Sequence, residues 1–350
     1  MLPMGLFKSD GAVGLELDTG MIRAVELAGT GHAAKLAAAG QIGIPDDAVV
    51  EGVVADPGAV ADALRQLWAQ AGFRSRSVVL GVSNQGLLMR MANLPRVPEK
   101  KLAQLMQFQA GDYFPIPLPQ LVYDFSVVGE INGENGPEHE ILLVGVRREQ
   151  LKTSLAALEG ASLQPVVVDA SPLALLRTVA DAQLTGTVAM LDISNGLSTL
   201  LLASGGIPRF ARVIPHSLQG YAREKGLPLA GLLEGERQVA AAVDDPLAKP
   251  GDTGVPGDWG LVLTAEVRSS IEFYLAQRSD TGLDMVVLSG RGALIGGIAE
   301  FFRSQLEVPV EVVDPLAVIT GPVEAGGVDL RRCGPEFAVS IGLAMRGLEA

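Results

Sequence analysis

Val13-Gly14-Leu15-Glu16-Leu17-Asp18-Thr19-Gly20-Met21-Ile22-Arg23-Ala24-Val25-Glu26-Leu27 reads as a strand, an acidic turn and a second strand. Half the chain later, Ala189-Met190-Leu191-Asp192-Ile193-Ser194-Asn195-Gly196-Leu197-Ser198-Thr199-Leu200-Leu201-Leu202 has the same form. When Glu16 is laid on Asp192, Leu17 falls on Ile193 and Gly20 on Gly196. An apolar run that gives way to a carboxylate, a small polar residue and a glycine, then turns apolar again, is punctuated like a hairpin. One such hairpin in each half predicts two related lobes facing each other. The plainer alternative is two unrelated hairpins.

Composition narrows the function classes. The 350 residues suffice for two domains with substantial cores. Hydrophobic residues at 48% and charged residues at 19% describe a globular chain rather than a disordered one. A net charge of −13 disfavours nucleic acid and anionic lipid as main partners, because phosphate contacts need clustered Lys and Arg. The most apolar stretches, 163–180 and 186–203, are interrupted by Asp169 and Asp192, so neither is expected to span a bilayer. The first ten residues lack the basic start and apolar core of a signal peptide. A single cysteine, Cys333, fits a reducing compartment, and three scattered histidines disfavour a zinc site.

Working outward from the first hairpin, 55–72 has helical spacing and 77–82 is a short buried strand. The character changes near Asn84. A break at Leu94-Pro95 precedes a helix over 99–113, which Phe114-Pro115-Ile116-Pro117-Leu118-Pro119 ends. Strands at 121–128 and 141–146, joined by a polar loop over 130–140, and a helix at 148–159 complete an inserted unit, 84–162. A buried strand at 165–169 and a helix at 171–182 lead to the second hairpin. Beyond it come a helix at 261–277, a strand running into Gly290-Arg291-Gly292, a helix at 294–306, a strand at 310–313 and a helical tail at 337–348. The segment 244–257, rich in Pro, Gly and Asp, reads as a surface loop.

The hairpins suggest a chemistry. A polyphosphate with its metal needs backbone N–H groups aimed at oxygens and carboxylates that reach the cation. Gly20 and Gly196 permit close approach, and Thr19, Asn195 and Ser198 add polar side chains. Glu16 and Asp192 are the candidate metal carboxylates. Gly290 and Gly292 could let a nucleoside lie against bare backbone. Each also has a structural explanation, since carboxylates cap turns and glycines end strands.

With these residues assembled, the chain resembles the PilM family of type IV pilus assembly proteins, and more distantly the cell-division protein FtsA. The likeness runs through 13–27, Leu94-Pro95, Tyr113-Phe114-Pro115-Ile116-Pro117, Tyr123-Asp124, Val167-Val168-Asp169, Leu191-Asp192-Ile193, Phe210-Ala211-Arg212, Val287-Leu288-Ser289-Gly290 and Ala338-Val339-Ser340-Ile341-Gly342-Leu343-Ala344. It implies an α/β, actin-like fold of the actin/Hsp70/sugar-kinase kind, two-lobed, with an FtsA-like inserted subdomain. The expected first lobe (1A-like) is 10–83 with 163–185 and 330–350. The expected 1C-like insertion is 84–162, and the 2A-like second lobe is 186–329, with a small 2B-like part around 213–260.

The implied role is that of a cytoplasmic scaffold in pilus biogenesis and twitching motility. It would be recruited to the inner membrane through a protein partner, the N-terminal cytoplasmic tail of PilN, and would connect to the pilus motor ATPases. In the family the tail docks between the insertion and the first lobe, for which Phe108, Tyr113, Phe114 and Tyr123 are the candidates here. ATP and Mg2+ are the implied cofactors, with Glu236 placed near the nucleoside, but the motifs are weakened. Glu16-Leu17-Asp18 stands where relatives carry Asp-x-Gly, Arg291 interrupts a glycine run, and Val239 stands one turn after Glu236 where a Lys is usual. The sequence therefore predicts no catalytic residue and at most a weak ATPase. The alternatives are an active ATPase or kinase of the same superfold, with Asp169 as its carboxylate, and an FtsA-like filament former.

Overall fold

Strand β1 (Val13–Asp18) is buried on both faces, as a Val-Gly-Leu run in the middle of a sheet requires. It pairs antiparallel with β2 (Met21–Ala28), and β2 pairs antiparallel with β3 (Lys35–Gly43). The turn between β1 and β2 is closed by Gly20 at φ 71°, a conformation that side-chain-bearing residues avoid. A small ribbon, β4 (Val49–Val50) with β5 (Val53–Val54), leads to α1 (Pro57–Ala71). The Asp56 side chain caps the start of α1, and Gly72 in the left-handed region ends it. Strand β6 (Ser77–Val82) then returns parallel to β1. These elements come from the computed structural model, which describes residues 11–29, 34–133, 136–229, 257–276 and 282–349.

An inserted unit follows: β7 (Leu88–Pro95), α2 (Glu99–Tyr113), β8 (Leu121–Gly133) and β9 (Gly136–Arg147). Its antiparallel sheet has the order β7-β9-β8. One face packs α2 through Leu102, Met106, Ala110, Ile141 and Leu143. The other face sets Met89 and Leu142 into a core shared with both lobes. Helix α3 (Arg148–Gly160) and strand β10 (Gln164–Ala170) bring the chain back, with β10 parallel to β6. The first sheet thus has the order β10-β6-β1-β2-β3.

After α4 (Ser171–Leu176), the second sheet repeats this plan. It is built from β11 (Thr187–Ile193), β12 (Ser198–Ser204), β13 (Ile207–Ile214), β14 (Met285–Ser289) and β15 (Val310–Val312), in the order β13-β12-β11-β14-β15. Strand β11 pairs antiparallel with β12 and parallel with β14, as β1 does with β2 and β6. Helices α5 (Leu218–Lys225), α6 (Gly257–Leu275) and α7 (Ile298–Leu306) cover one face of this sheet. The other face carries Val188, Met190, Leu201 and Ala203 into the shared core. Helices α4 and α8 (Ala338–Leu348) contribute Ala174, Leu175, Val339 and Leu343 to that core, and so lie between the two sheets. Among the described residues no helix is long and apolar enough to cross a membrane.

Several expectations are corrected. Strand β7 is absent from the sequence reading because Pro95 and the change of composition mask a run whose two faces are both apolar. The expected loop 130–140 is largely strand, since β8 and β9 continue as a long hairpin in which Glu130 faces His139. Helix α3 sets Leu151, Ala157 and Leu158 into the first-lobe core, beside Val60, Ala61 and Leu64 of α1. In packing terms the insertion is therefore β7 to β9. The Val-rich strand β10 is an edge rather than buried, with Val166 52% and Val168 39% exposed. The helix expected over 171–182 stops at Leu176. The helix expected from 294 begins only at Ile298, because Gly297 at φ 77° interrupts it. The segment 244–256, Glu236 and most of the 2B-like part lie outside the described residues.

Helix α8 presses directly on β1. A Cβ at Gly14 would stand 2.1 Å from the Ser340 carbonyl oxygen and 2.4 Å from the Ala344 nitrogen. Neither neighbour is the end of a flexible side chain, so the backbones must separate. Gly14→Ala is expected to cost about 1–3 kcal/mol of stability, the usual range for overpacking. Urea unfolding would measure it, and an unchanged midpoint would mean that the α8 contact is not tight.

Candidate functional site

The two hairpin turns meet. The Asp18 carboxylate, at the end of β1, accepts hydrogen bonds from its neighbour Thr19 N–H at 2.8 Å and from the Asn195 and Gly196 N–H groups at 2.9 and 3.0 Å. The last two lie in the turn between β11 and β12. The Asn195 side-chain amide returns a bond of 2.8 Å to the Thr19 carbonyl. Nearby, the hydroxyls of Ser83 and Thr199 are 2.8 Å apart across the same boundary. Two consecutive N–H groups converging on one carboxylate form an anion-binding nest, and a charged acceptor makes such bonds short and strong.

Arg23 faces this cluster from β2, where it pairs with Glu16 of β1. It is 1% exposed, and its guanidinium lies 3.4 Å from Asp18 and 3.8 Å from both Glu16 and Glu336. Burial works against the charged guanidinium, but the Glu16, Asp18 and Glu336 carboxylates outweigh it and hold its pKa raised. Glu16 is pushed up to about 8, first by burial and then by the Asp192 and Asp18 charges, against the pull of Arg23 and the Ser340 hydroxyl. Asp192 is also raised by burial, with partial relief from bonds donated by Ser194 and Ser289. Burial, joined by the neighbouring carboxylate charges, outweighs Arg23, so at neutral pH Glu16 favours its protonated form.

The fold brings Glu16, Asp18, Thr19, Asp192, Asn195 and Gly196 together but leaves little room between them. Glu16, Asp18 and Asp192 border a cavity of about 30 Å³, the volume of a water or two rather than a phosphate with its metal. Both Asp192 oxygens are taken by serine hydroxyls of its own lobe, and among the described residues no group of three or more His, Cys, Asp or Glu side chains is arranged to hold a metal ion. Ser198 is fully buried and its hydroxyl donates to the His216 carbonyl.

Gly290 and Gly292 serve packing. A Cβ at Gly290 would meet the Ile193 oxygen at 2.6 Å, and one at Gly292 would meet the Ile193 side chain at 2.3 Å. Arg291 is 8% exposed and reaches the Asn195 side-chain oxygen at 3.4 Å. Thr19 is buried with its hydroxyl unpartnered among the described residues, and one hydroxyl is no phosphate cradle. Beside the turns opens a cleft of about 700 Å³ whose lining includes Thr19, Gly20's neighbour Asp46, Asp47, Glu51, Glu224 and Asp258 against Arg223. Such a lining repels a polyphosphate. The described residues thus do not fit a metal-bound nucleotide. Asp169 bonds Arg177 at 2.8 Å and the Ala170 N–H at 2.9 Å, a structural role.

The peptide candidates lie on the α2 side of the insertion. Phe114 is in the core there, its ring against Tyr123 at 5.9 Å, so it is corrected to a packing residue. Tyr113 and Tyr123 pack partly buried against the same core, and Phe108 is 85% exposed on α2. The junction with the first lobe is on the opposite face. There the edge strands β8 and β10 set Val128 and Val167 against the shared core and leave Val122, Val166 and Val168 partly exposed. Arg148, at the start of α3, bonds the Pro119 and Leu121 carbonyls and so pins the start of β8 beside the first lobe. The sequence reading missed these valines and Arg23. The available signal was a cation in an apolar strand, at a position where both neighbours are buried.

The Glu16 proton has a thermodynamic consequence. Its folded pKa lies above the ordinary 4.5, so between there and about 8 the folded chain binds more protons than the unfolded one. Stability therefore falls as pH rises through that window. Glu16→Gln keeps the shape of the protonated carboxyl, and denaturant midpoints measured from pH 5 to 8.5 are expected to show a shallower decline in the variant. Equal slopes would place the proton elsewhere.

The family model described as the type IV pilus assembly protein PilM matches residues 14–212 and 259–348. The chain is 30% identical to one solved in a PilM-PilN type IV pilus biogenesis complex, over 97% of this chain and 99% of that one, with a TM-score of 0.80. It is 13% identical to the ethanolamine utilization protein EutJ from Carboxydothermus hydrogenoformans, over 97% and 91% of the two chains, with a TM-score of 0.58. The second likeness speaks for the fold alone, which is actin-like. With both lobes and the insertion matched at this identity over nearly its whole length, the chain belongs to the PilM family of type IV pilus assembly proteins.

Proposed function

We propose that this chain is a non-catalytic cytoplasmic scaffold of the type IV pilus inner-membrane platform. It receives the N-terminal tail of a PilN-type membrane protein between the insertion and the first lobe, and it reaches the membrane through that partner. Contact with the pilus motor ATPases completes the role. The observation that carries the reading is the likeness to a chain solved together with PilN. The structure supports it with a junction suited to an extended apolar segment: two edge strands with exposed valines beside a shared core. An added strand would take its affinity from main-chain bonds and its selectivity from side chains on alternate positions. The net charge of −13 favours a tail with basic residues.

The test is calorimetric titration of the purified chain with a peptide of its cognate PilN tail, with and without Mg-ATP, since modulation by nucleotide was part of the sequence expectation. Saturable binding is expected. Val168→Asp on the β10 edge is expected to weaken it at least about tenfold, or roughly 1.4 kcal/mol. Phe108→Asp, on the exposed side of α2, should leave affinity unchanged. The reverse pattern would move the docking surface to α2, and no binding by the wild-type chain would overturn the scaffold reading.

A further inference from the structure

We infer that Asp18 is a built-in substitute for phosphate, which fills the anion cradle between the hairpins and joins the two lobes without nucleotide. The backbone groups that a phosphate would need are already spent. The consecutive N–H groups of Asn195 and Gly196, together with that of Thr19, all end on the Asp18 carboxylate at 2.8 to 3.0 Å. The carboxylate belongs to one lobe and the nest to the other, and the Asn195 amide reciprocates to Thr19 at 2.8 Å. The counter-cation is internal as well, because the fully buried Arg23 lies 3.4 Å from Asp18.

Space and charge agree with this assignment. The cavity bordered by Glu16, Asp18 and Asp192 is about 30 Å³, and in the adjoining cleft the charged side chains are five carboxylates, Asp46, Asp47, Glu51, Glu224 and Asp258, against Arg223. A polyphosphate could reach the nest only by displacing Asp18, which would strip Arg23 of its nearest anion within the protein interior. The residue makes this possible through its length. Its carboxylate projects from the last position of β1 and reaches across the turn, which a glycine at that position could not do. In the structure Asp18 is thus the specificity-determining residue of the cleft, turning an anion-binding cradle into a permanent contact. The inference does not rest on tail binding, since no partner enters its test, and either can fail alone.

The experiment compares the full chain with Asp18→Gly and Asp18→Ala, reading thermal midpoint and the affinity for Mg-ATP and for inorganic pyrophosphate. The wild type is expected to give no saturable heat with either anion. Both variants should lose thermal stability and gain affinity for at least one of the two by about tenfold or more over the wild type. Asp18→Ala empties the cradle while keeping a β-carbon at the end of β1, and serves if Asp18→Gly does not fold. Saturable wild-type binding as tight as in the variants would overturn the inference. So would variants that keep the wild-type midpoint, or that lose stability and gain no anion affinity, which would leave Asp18 a turn cap and nothing more.

Discussion

The Asp18 carboxylate accepts hydrogen bonds from both hairpin turns and so joins the two lobes where they meet. Its surroundings reflect the placing of a charge in a buried boundary. Arg23 is buried facing it, Glu336 stands at the other edge of the guanidinium, and the Glu16 carboxyl is pushed up first by burial and then by the Asp192 and Asp18 charges. A buried charge without its partner is costly, whereas a paired one contributes little net stability. Within the cluster it is the Asp18 carboxylate that reaches the other lobe, through the Asn195 and Gly196 N–H groups.

The rest of the architecture supports this boundary. Helices α4 and α8 fill the space between the two sheets, and close approach through Gly14 and Gly342 lets α8 lie on β1 and on α4. The insertion is tied to the same core through Met89 and Leu142, and Arg209 of β13 pairs with Glu140 of β9 at 2.6 Å. First lobe, second lobe and insertion therefore share one packed interior. A partner seated at the insertion edge would act on a connected body.

The sequence and the structure part at places that have a common cause. Edge and central strands have the same Val-rich composition, so β10 reads as buried until its missing neighbour is seen. Aromatic residues near the end of α2 read as a groove, yet Phe114 is core and Tyr113 and Tyr123 lean on it. Gly290 and Gly292 read as a ligand surface and turn out to admit Ile193. In each case the local signal is real, and what it serves is decided by the residue on the other side of the contact.

What the sequence determined by itself was the plan. The repeat of a carboxylate-bearing hairpin, the helix stops at Gly72 and the Phe114–Pro117 run, and the apolar tail are local or periodic patterns. They depend on backbone preference and on which face is apolar, and both are written in neighbouring residues. The matching strand order of the two sheets agrees with the alignment of Glu16 with Asp192. Only the tertiary structure decided what the hairpins hold. Asp18 and Asn195 are distant in sequence, and no pattern within either segment says that the carboxylate of one ends on the N–H groups of the other. The choice between an anion site and an internal contact lies in a distance of about 3 Å across the lobe boundary, which exists only once both sheets and the helices between them are packed.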